Sequence, residues 1–549
     1  MNLYQSYILP IILFCLSFCW VSGFAQQKDG QTPSHFNVSV ESNIGVYVKD
    51  SELKIPEQDR KFRTNTFVNL GYGVGNFRMG AQFDVFEPAL LGFPSELKGS
   101  RLMQGFASYL SPKVEATLGS FYEQFGSGLL LRTYEDRALG INTALMGVSL
   151  RLRPFDWLSI KTFAGLPRKH MRYVHSRVYG LDAEVSLSHL LPDDVVNTLS
   201  VGGAWILRDD HSKLEYEHLK PPRSVNGFSG RGQLSKGVLT LSGEYTYKGN
   251  NMIHDGTNLA PKGQALLFNA GLDFEGLGIT SQFRSIENMS LGIDDLTDTE
   301  SVFLNYIPSL TKLQKYALLS LYPHSASKSL GGGEIGGQVD VFGSIPLNSN
   351  DRYPLSFNLN ASYFKKLVAK DTPGQYKFLD MSGELSFAEV GLELEKKWNK
   401  ALKTVMVMDW QQSMEFSRLG HGKMKMNTGV LVTDILYKIT RKNSLRMELQ
   451  HAWSDSKDDQ RWIMGLLEWG LSPYWVFYVS DMYNYESAGK KIHYFSAGAN
   501  FTWKSLRVGA SFGRNREGLQ CSGGVCRYVP EYTGFMINIS STNLLDIIF

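Results

Sequence analysis

The sequence predicts an all-β fold: a large transmembrane antiparallel β-barrel of about 24 strands, within a range of roughly 20 to 26. Three observations predict it. Apolar residues recur at every second position over segments of about ten residues. Tight turns alternate with long polar connections, and aromatic residues gather at segment ends.

Residues 8–21 are apolar, and Gly23 and Ala25 put small residues three and one positions before Gln26. This pattern predicts a cleavable signal at 1–25, although its start carries no Lys or Arg. Cys15 and Cys19 leave with it. Residues 26–35 are expected to form a short periplasmic segment, and 36–549 a single barrel.

The first apolar set is Phe36, Val38, Val40, Ile44, Val46 and Val48. The next, Thr66, Val68, Leu70, Tyr72 and Val74, is followed by Gly75-Asn76 and a switch of parity at Phe77, Met79, Ala81, Phe83 and Val85. A two-residue hairpin turn demands that switch. Farther on, Tyr179, Leu181, Ala183 and Val185 alternate with Asp182 and Glu184. Leu239, Leu241, Tyr245 and Tyr247 alternate with Glu244, and Ala388, Val390, Leu392 and Leu394 alternate with Glu389, Glu393 and Glu395. Strands with one apolar and one charged face suit a wall between lipid and water. In hydrocarbon an unpaired backbone group costs several kcal/mol, so such strands close on themselves. A basic residue on the lipid face costs roughly 2 to 4 kcal/mol at mid-depth. Asp182, Glu184, Glu244, Glu389, Glu393 and Glu395 are therefore expected in the lumen.

The tight turns include Ser111-Pro112, Glu275-Gly276, Asn399-Lys400 and Lys504-Ser505. The long connections include 50–61, 87–101, 209–224, 286–333, 411–425 and 513–530. This is the asymmetry of periplasmic turns and extracellular loops, with both termini on the turn side and an even strand count. The last run, Phe535, Ile537 and Ile539, continues in phase to Phe549. A secreted six-bladed propeller would use as many strands, but no repeat near the blade period is present.

Composition agrees with an envelope protein. The 549 residues include 56 basic and 53 acidic side chains, a net charge of +3, with 43% apolar and 12% aromatic residues. So small a basic excess, without a concentrated stripe, argues against nucleic acid as a partner. The abundant apolar residues argue against disorder. Outer-membrane lipid and lipopolysaccharide are the expected surroundings.

A barrel of this strand number is roughly 45 to 50 Å across, and an open hole of that width would defeat the membrane. Transporters of the TonB-dependent kind fill such a barrel with an N-terminal plug, for which the ten or so residues before the first strand leave no room. The loops 119–143 and 286–333 are the candidates to fold into the lumen, with a partner protein as the other solution. Within the second, 308–319 reads as a short helix.

The stretch 121–140, FYEQFGSGLLLRTYEDRALG, concentrates glycine, aromatic and charged residues, among them Arg132, Glu135, Asp136 and Arg137. These charges suit a constriction or ligand site, and more readily a salt-bridged loop packed in the lumen, since mixed charge inside a barrel is usually structural. The glycines at 126–128 and 331–337 read as backbone bends, since neither run has the context of a phosphate cradle. The acidic clusters Asp294, Asp295, Asp298 and Glu300, and Asp455, Asp458 and Asp459, read as solvated loops because their spacing matches no defined calcium loop. Cys521 and Cys526 of the exported chain are expected to form a local disulfide. No metal and no cofactor is expected. His451 and His493 sit on the apolar parity near strand ends and read as interfacial, so no enzyme is expected.

The stretch 121–140, together with 518–535, GLQCSGGVCRYVPEYTGF, resembles a functionally unassigned family of outer-membrane β-barrels from Bacteroidota. The resemblance runs through the whole mature chain and implies fold and location, with no activity attached. The sequence therefore predicts a loop-plugged porin-like channel or transporter in the bacterial outer membrane. The alternative is a non-transporting barrel subunit of a secretion or protein-assembly complex, capped or filled by a protein partner.

Overall fold

In the computed structural model the described residues are 34–192, 196–210, 222–251, 261–293, 302–312, 315–321, 332–348, 352–413, 425–455, 461–486, 491–522 and 525–544. The predicted leader, nearly all of 26–35, residues 294–300 and 456–460, and the end of the chain from 545 lie outside them. Every wall strand pairs antiparallel with its sequence neighbours, from Ser34–Val48 to Tyr532–Ser541. The first strand also pairs with the last, Ile44 opposite Ile537. The sheet therefore has no edge, and the ladder satisfies the backbone throughout the lipid. One member of the 25-stranded sheet, Arg172–Tyr173, only extends a hairpin. That leaves a closed wall of 24 strands.

Alternation sets which side of the wall each residue faces. On the strand His493–Trp503, Phe495 and Ala497 face outward, and Ser496, Gly498 and Asn500 inward. Exposed outward residues such as Leu118, Leu181, Phe228, Phe268, Val390, Leu449 and Phe535 form the apolar band of a transmembrane barrel. Near the short turns the band ends in aromatics: Phe155 stacks on Trp157 at 5.1 Å, and Trp475 packs 4.8 Å from Phe501. Indole and ring are held there at the boundary between apolar and polar surroundings. Near the other rim His451 donates or accepts a 2.9 Å hydrogen bond with Tyr485, while the exposed His493 bonds Asp481 at 2.6 Å.

Short and long connections alternate as the sequence predicts, with two exceptions. The turn-side connections 187–197 and 346–354 are longer, the first containing a 3-10 turn at Leu187–Leu190. Long connections at 249–262 and 367–384 also join the rim, beyond those read from sequence.

Two expectations are corrected. Among the described residues of 308–319 no helix is present: they show one turn, where Ser320 N donates to the Tyr316 carbonyl. The Leu318 N–H that would continue it donates to Gln450 Oε1 of the wall at 2.8 Å. The glycines from 333 on are not a bend either, because the strand Gly333–Ile345 begins there. Bare Cα atoms admit the neighbouring strand: a Cβ at Gly336 would stand 2.1 Å from the Tyr363 carbonyl oxygen. The bend reading does describe Gly126 and Gly128, at φ +51° and +95°.

Candidate functional site: a lumen divided by two infolded segments

The stretch 122–144 leaves the long-loop rim and turns into the barrel, where two small hairpins shape it. Gln124–Phe125 pairs with Leu131–Arg132, and Glu135–Asp136 with Ile141–Asn142. Its apolar residues Phe125, Leu130 and Leu131 are buried with the inward-facing Phe163, Val178, Ile206 and Val225 of four wall strands. Its polar groups find wall partners: Ser127 N donates to Glu244 Oε2 at 2.8 Å, and Gln82 Nε2 donates to Glu135 Oε1 at 2.8 Å. At Gly126 a Cβ would stand 2.5 Å from the Glu244 carboxylate, so glycine is what allows this seat. Arg137 lies between Glu41 at 2.9 Å and Glu135 at 3.2 Å, over the Phe67 ring. Burial works against its charge, and the two carboxylates more than offset this, holding its pKa above the ordinary arginine value. Asp136 caps the local turn by accepting from Leu139 N at 3.0 Å.

The second segment, described at 302–312 and 315–321, crosses the other half of the lumen. It is joined to the first: Arg132 N donates to the Leu304 carbonyl at 2.8 Å and Tyr306 N to the Gly128 carbonyl at 3.0 Å. The Arg132 guanidinium lies 4.2 Å over the Tyr306 ring. Asn305 Nδ2 donates to the Leu129 and Met289 carbonyls, at 2.9 and 2.7 Å. Beyond that junction the segment reaches successive wall strands. Arg284 donates to the Ser309 carbonyl, Lys312 to Asn358 Oδ1 at 2.6 Å, and Tyr316 to Asp434 Oδ2 at 3.2 Å, while Lys315 pairs with Glu393 at 3.0 Å. Tyr316, Leu318, Leu319 and Leu321 pack on inward-facing Val405, Val407, Val430 and Val432.

The sequence-derived residues thus divide. Arg132, Glu135, Asp136, Arg137 and Glu244 form or seat the first segment. Glu393 holds the second, and Glu389 is buried in the same sector, one inward rung from Asp409. Asp182 and Glu184 clamp Arg231 of the next strand but one, at 2.6 and 2.8 Å. Glu184 and Arg231, with Gly126 and Glu244, border a smaller cavity of about 300 Å³. Glu395 pairs with Lys403 at 2.7 Å near the short turns. In the hairpin 518–529 the backbone registers Cys521 opposite Cys526, and their side chains fall outside the described residues.

Among the described residues, the segments reach the arc around the first and last strands through Arg137, which pairs with Glu41. Between that arc and the segments lies a cavity of about 790 Å³ running from the loops 90–93 and 515–529 down to Asn43 and Asn538 at mid-wall. On this arc the inward Asn37, Asn500 and Asn538 are exposed to the lumen. Arg137 alone of the sequence-derived candidates lines the cavity. Glu41, Lys312, Arg516 and Arg527 were not among them, being distributed over one strand and two loops. A signal for the covered arc does exist in the sequence: Val405-Met406-Val407-Met408 and Val430-Leu431-Val432 lose the polar alternation because lipid covers one face and the infolded segment the other.

The family described as "Family of unknown function (DUF6029)" matches residues 4–543, and the chain belongs to it. No curated protein matches the chain. Among solved structures the chain is similar to the translocation pore of the P pilus usher (PapC), at 10% identity and a TM-score of 0.47, covering 93% of this chain and 99% of that one. It is also similar to the siderophore receptor PirA from Pseudomonas aeruginosa, at 9% identity and a TM-score of 0.42, covering 93% and 80%. A third is the copper transporter OprC, at 10% identity and a TM-score of 0.41, covering 94% and 81%.

Proposed function

We propose that this member of the DUF6029 family is a porin-like channel or transporter of the bacterial outer membrane, plugged by two segments of its own chain. The observation that carries the reading is the contrast inside one lumen. A plug fills part of it, and beside the plug a polar arc borders a cavity of about 790 Å³ reaching mid-wall. A purely structural barrel has no need of a wet, asparagine-lined inner face, whereas solute passage does. The rival reading, a subunit filled by a protein partner, is disfavoured by the chain's own segments occupying the space such a partner would take.

In this reading the outward band contacts lipid, with lipopolysaccharide in the outer leaflet, and no catalytic step takes part. The Bacteroidota origin rests on the motifs at 121–140 and 518–535. Cys521 and Cys526 close a disulfide that shapes the loop beside the cavity, and a titration of the unreduced mature protein finding free thiols would count against it.

The test is conductance in planar bilayers. The purified protein is expected to conduct, and a variant with 302–321 replaced by a short Gly-Ser linker to conduct several-fold more, provided it keeps the heat-sensitive gel mobility of a folded barrel. Silence from both proteins would refute the channel.

A further inference from the structure

The cavity beside the plug is lined by four cationic side chains, Arg137, Lys312, Arg516 and Arg527, and by one carboxylate, Glu41. Their charges are not equally available. Arg137 is engaged by Glu41 and Glu135. Lys312 donates to Asn358 with Glu389 and Asp409 nearby in the wall. Arg527 is placed differently. Its Nη1 donates to the Leu91 carbonyl at 3.2 Å, its Nη2 to Gln520 Oε1 at 2.8 Å, and its guanidinium lies 3.8 Å over the Phe93 ring. These partners fix the plane of the guanidinium, and none carries a full negative charge. Burial, only partly offset by the field of the Asp136 carboxylate, pushes its pKa down to about 10, still well above neutrality, so the group stays charged in a partly dehydrated setting.

A held cation at the wall of a narrow, polar passage raises the local concentration of anions and repels cations. The remaining lining suits an anion that also bears hydroxyl groups. Asn43, Asn65, Asn515 and Asn538 offer amide donors and acceptors, and the edge-to-face pair of Tyr47 and Tyr532, 5.1 Å apart, offers ring faces beside them.

We infer that this cavity is an anion-selective stage of the passage, taking small hydroxylated solutes that carry a carboxylate or phosphate, with Arg527 as the residue that sets the charge preference. The inference rests on the channel reading and adds the class of solute to it.

The measurement is the reversal potential of the reconstituted protein under a tenfold KCl gradient. The expected wild-type result is a chloride-to-potassium permeability ratio of at least about 3. Arg527→Gln is expected to bring that ratio towards 1 with little change in conductance. Arg153→Gln, on the turn side of the wall away from the cavity, should leave it in place. Citrate added on the loop side should reduce the wild-type current more than that of Arg527→Gln. A conducting wild type that prefers potassium, or an Arg527→Gln ratio equal to the wild type's, overturns the inference and leaves the channel reading standing. Absence of current from the wild type and from the 302–321 replacement overturns both.

Discussion

The strands Leu402–Ser413 and His493–Trp503 belong to the same wall and follow the same ladder geometry, yet their inner faces differ in kind. On the first, Val405 and Val407 point inward and are buried under Tyr316, Leu318 and Leu319. On the second, Ser496, Gly498 and Asn500 point inward, and Asn500 is exposed to the lumen. Outward, the two strands match: Met406, Met408 and Trp410 on one and Phe495 on the other are exposed to the lipid side. The outer face is dictated by lipid everywhere, so it is uniform. The inner face is dictated by what stands opposite, water in one arc and the chain itself in the other.

The sharpest way to break this comparison is a charge in the covered arc. Val405→Asp places a carboxylate in a buried apolar seam, and a loss of about 4 kcal/mol or more is expected. It should appear as a lower temperature for loss of the heat-sensitive gel band and as noisier, larger currents as the plug loosens. An unchanged gel transition and quiet current would mean that the seam is wet. Next in size is Phe125→Ala, which empties the centre of the first segment's packing against Phe163 and should cost about 3 to 4 kcal/mol, read the same way. Smallest is Asn500→Asp on the open arc. Its stability change is expected within about 0.5 kcal/mol, because the side chain already faces water, while the chloride preference should fall. A large loss of stability from that substitution would show that the arc is covered after all.

The outer face, the turn-and-loop asymmetry and the closed wall were all legible in the sequence because each follows from a period of two and the demands of lipid. The segments 119–143 and 286–333 stood out for related reasons: one is dense in glycine and charge, the other is the longest connection. Their detailed form was not legible. Where a helix over 308–319 is expected, the described Leu318 N–H instead donates to Gln450, more than a hundred residues away. Asp182 and Glu184 read as lumen charges, but parity cannot say that Arg231 occupies them. The cavity was hidden for the same reason, since Glu41, Lys312 and Arg527 meet only once the wall closes and both segments turn inward.

Both infolded segments are tied to the wall at each end, and Asn305 and Arg132 tie them to one another. A stopper built this way cannot diffuse off when it yields. In the proposed channel reading, an opening of the plug works against these ties, which favour its return.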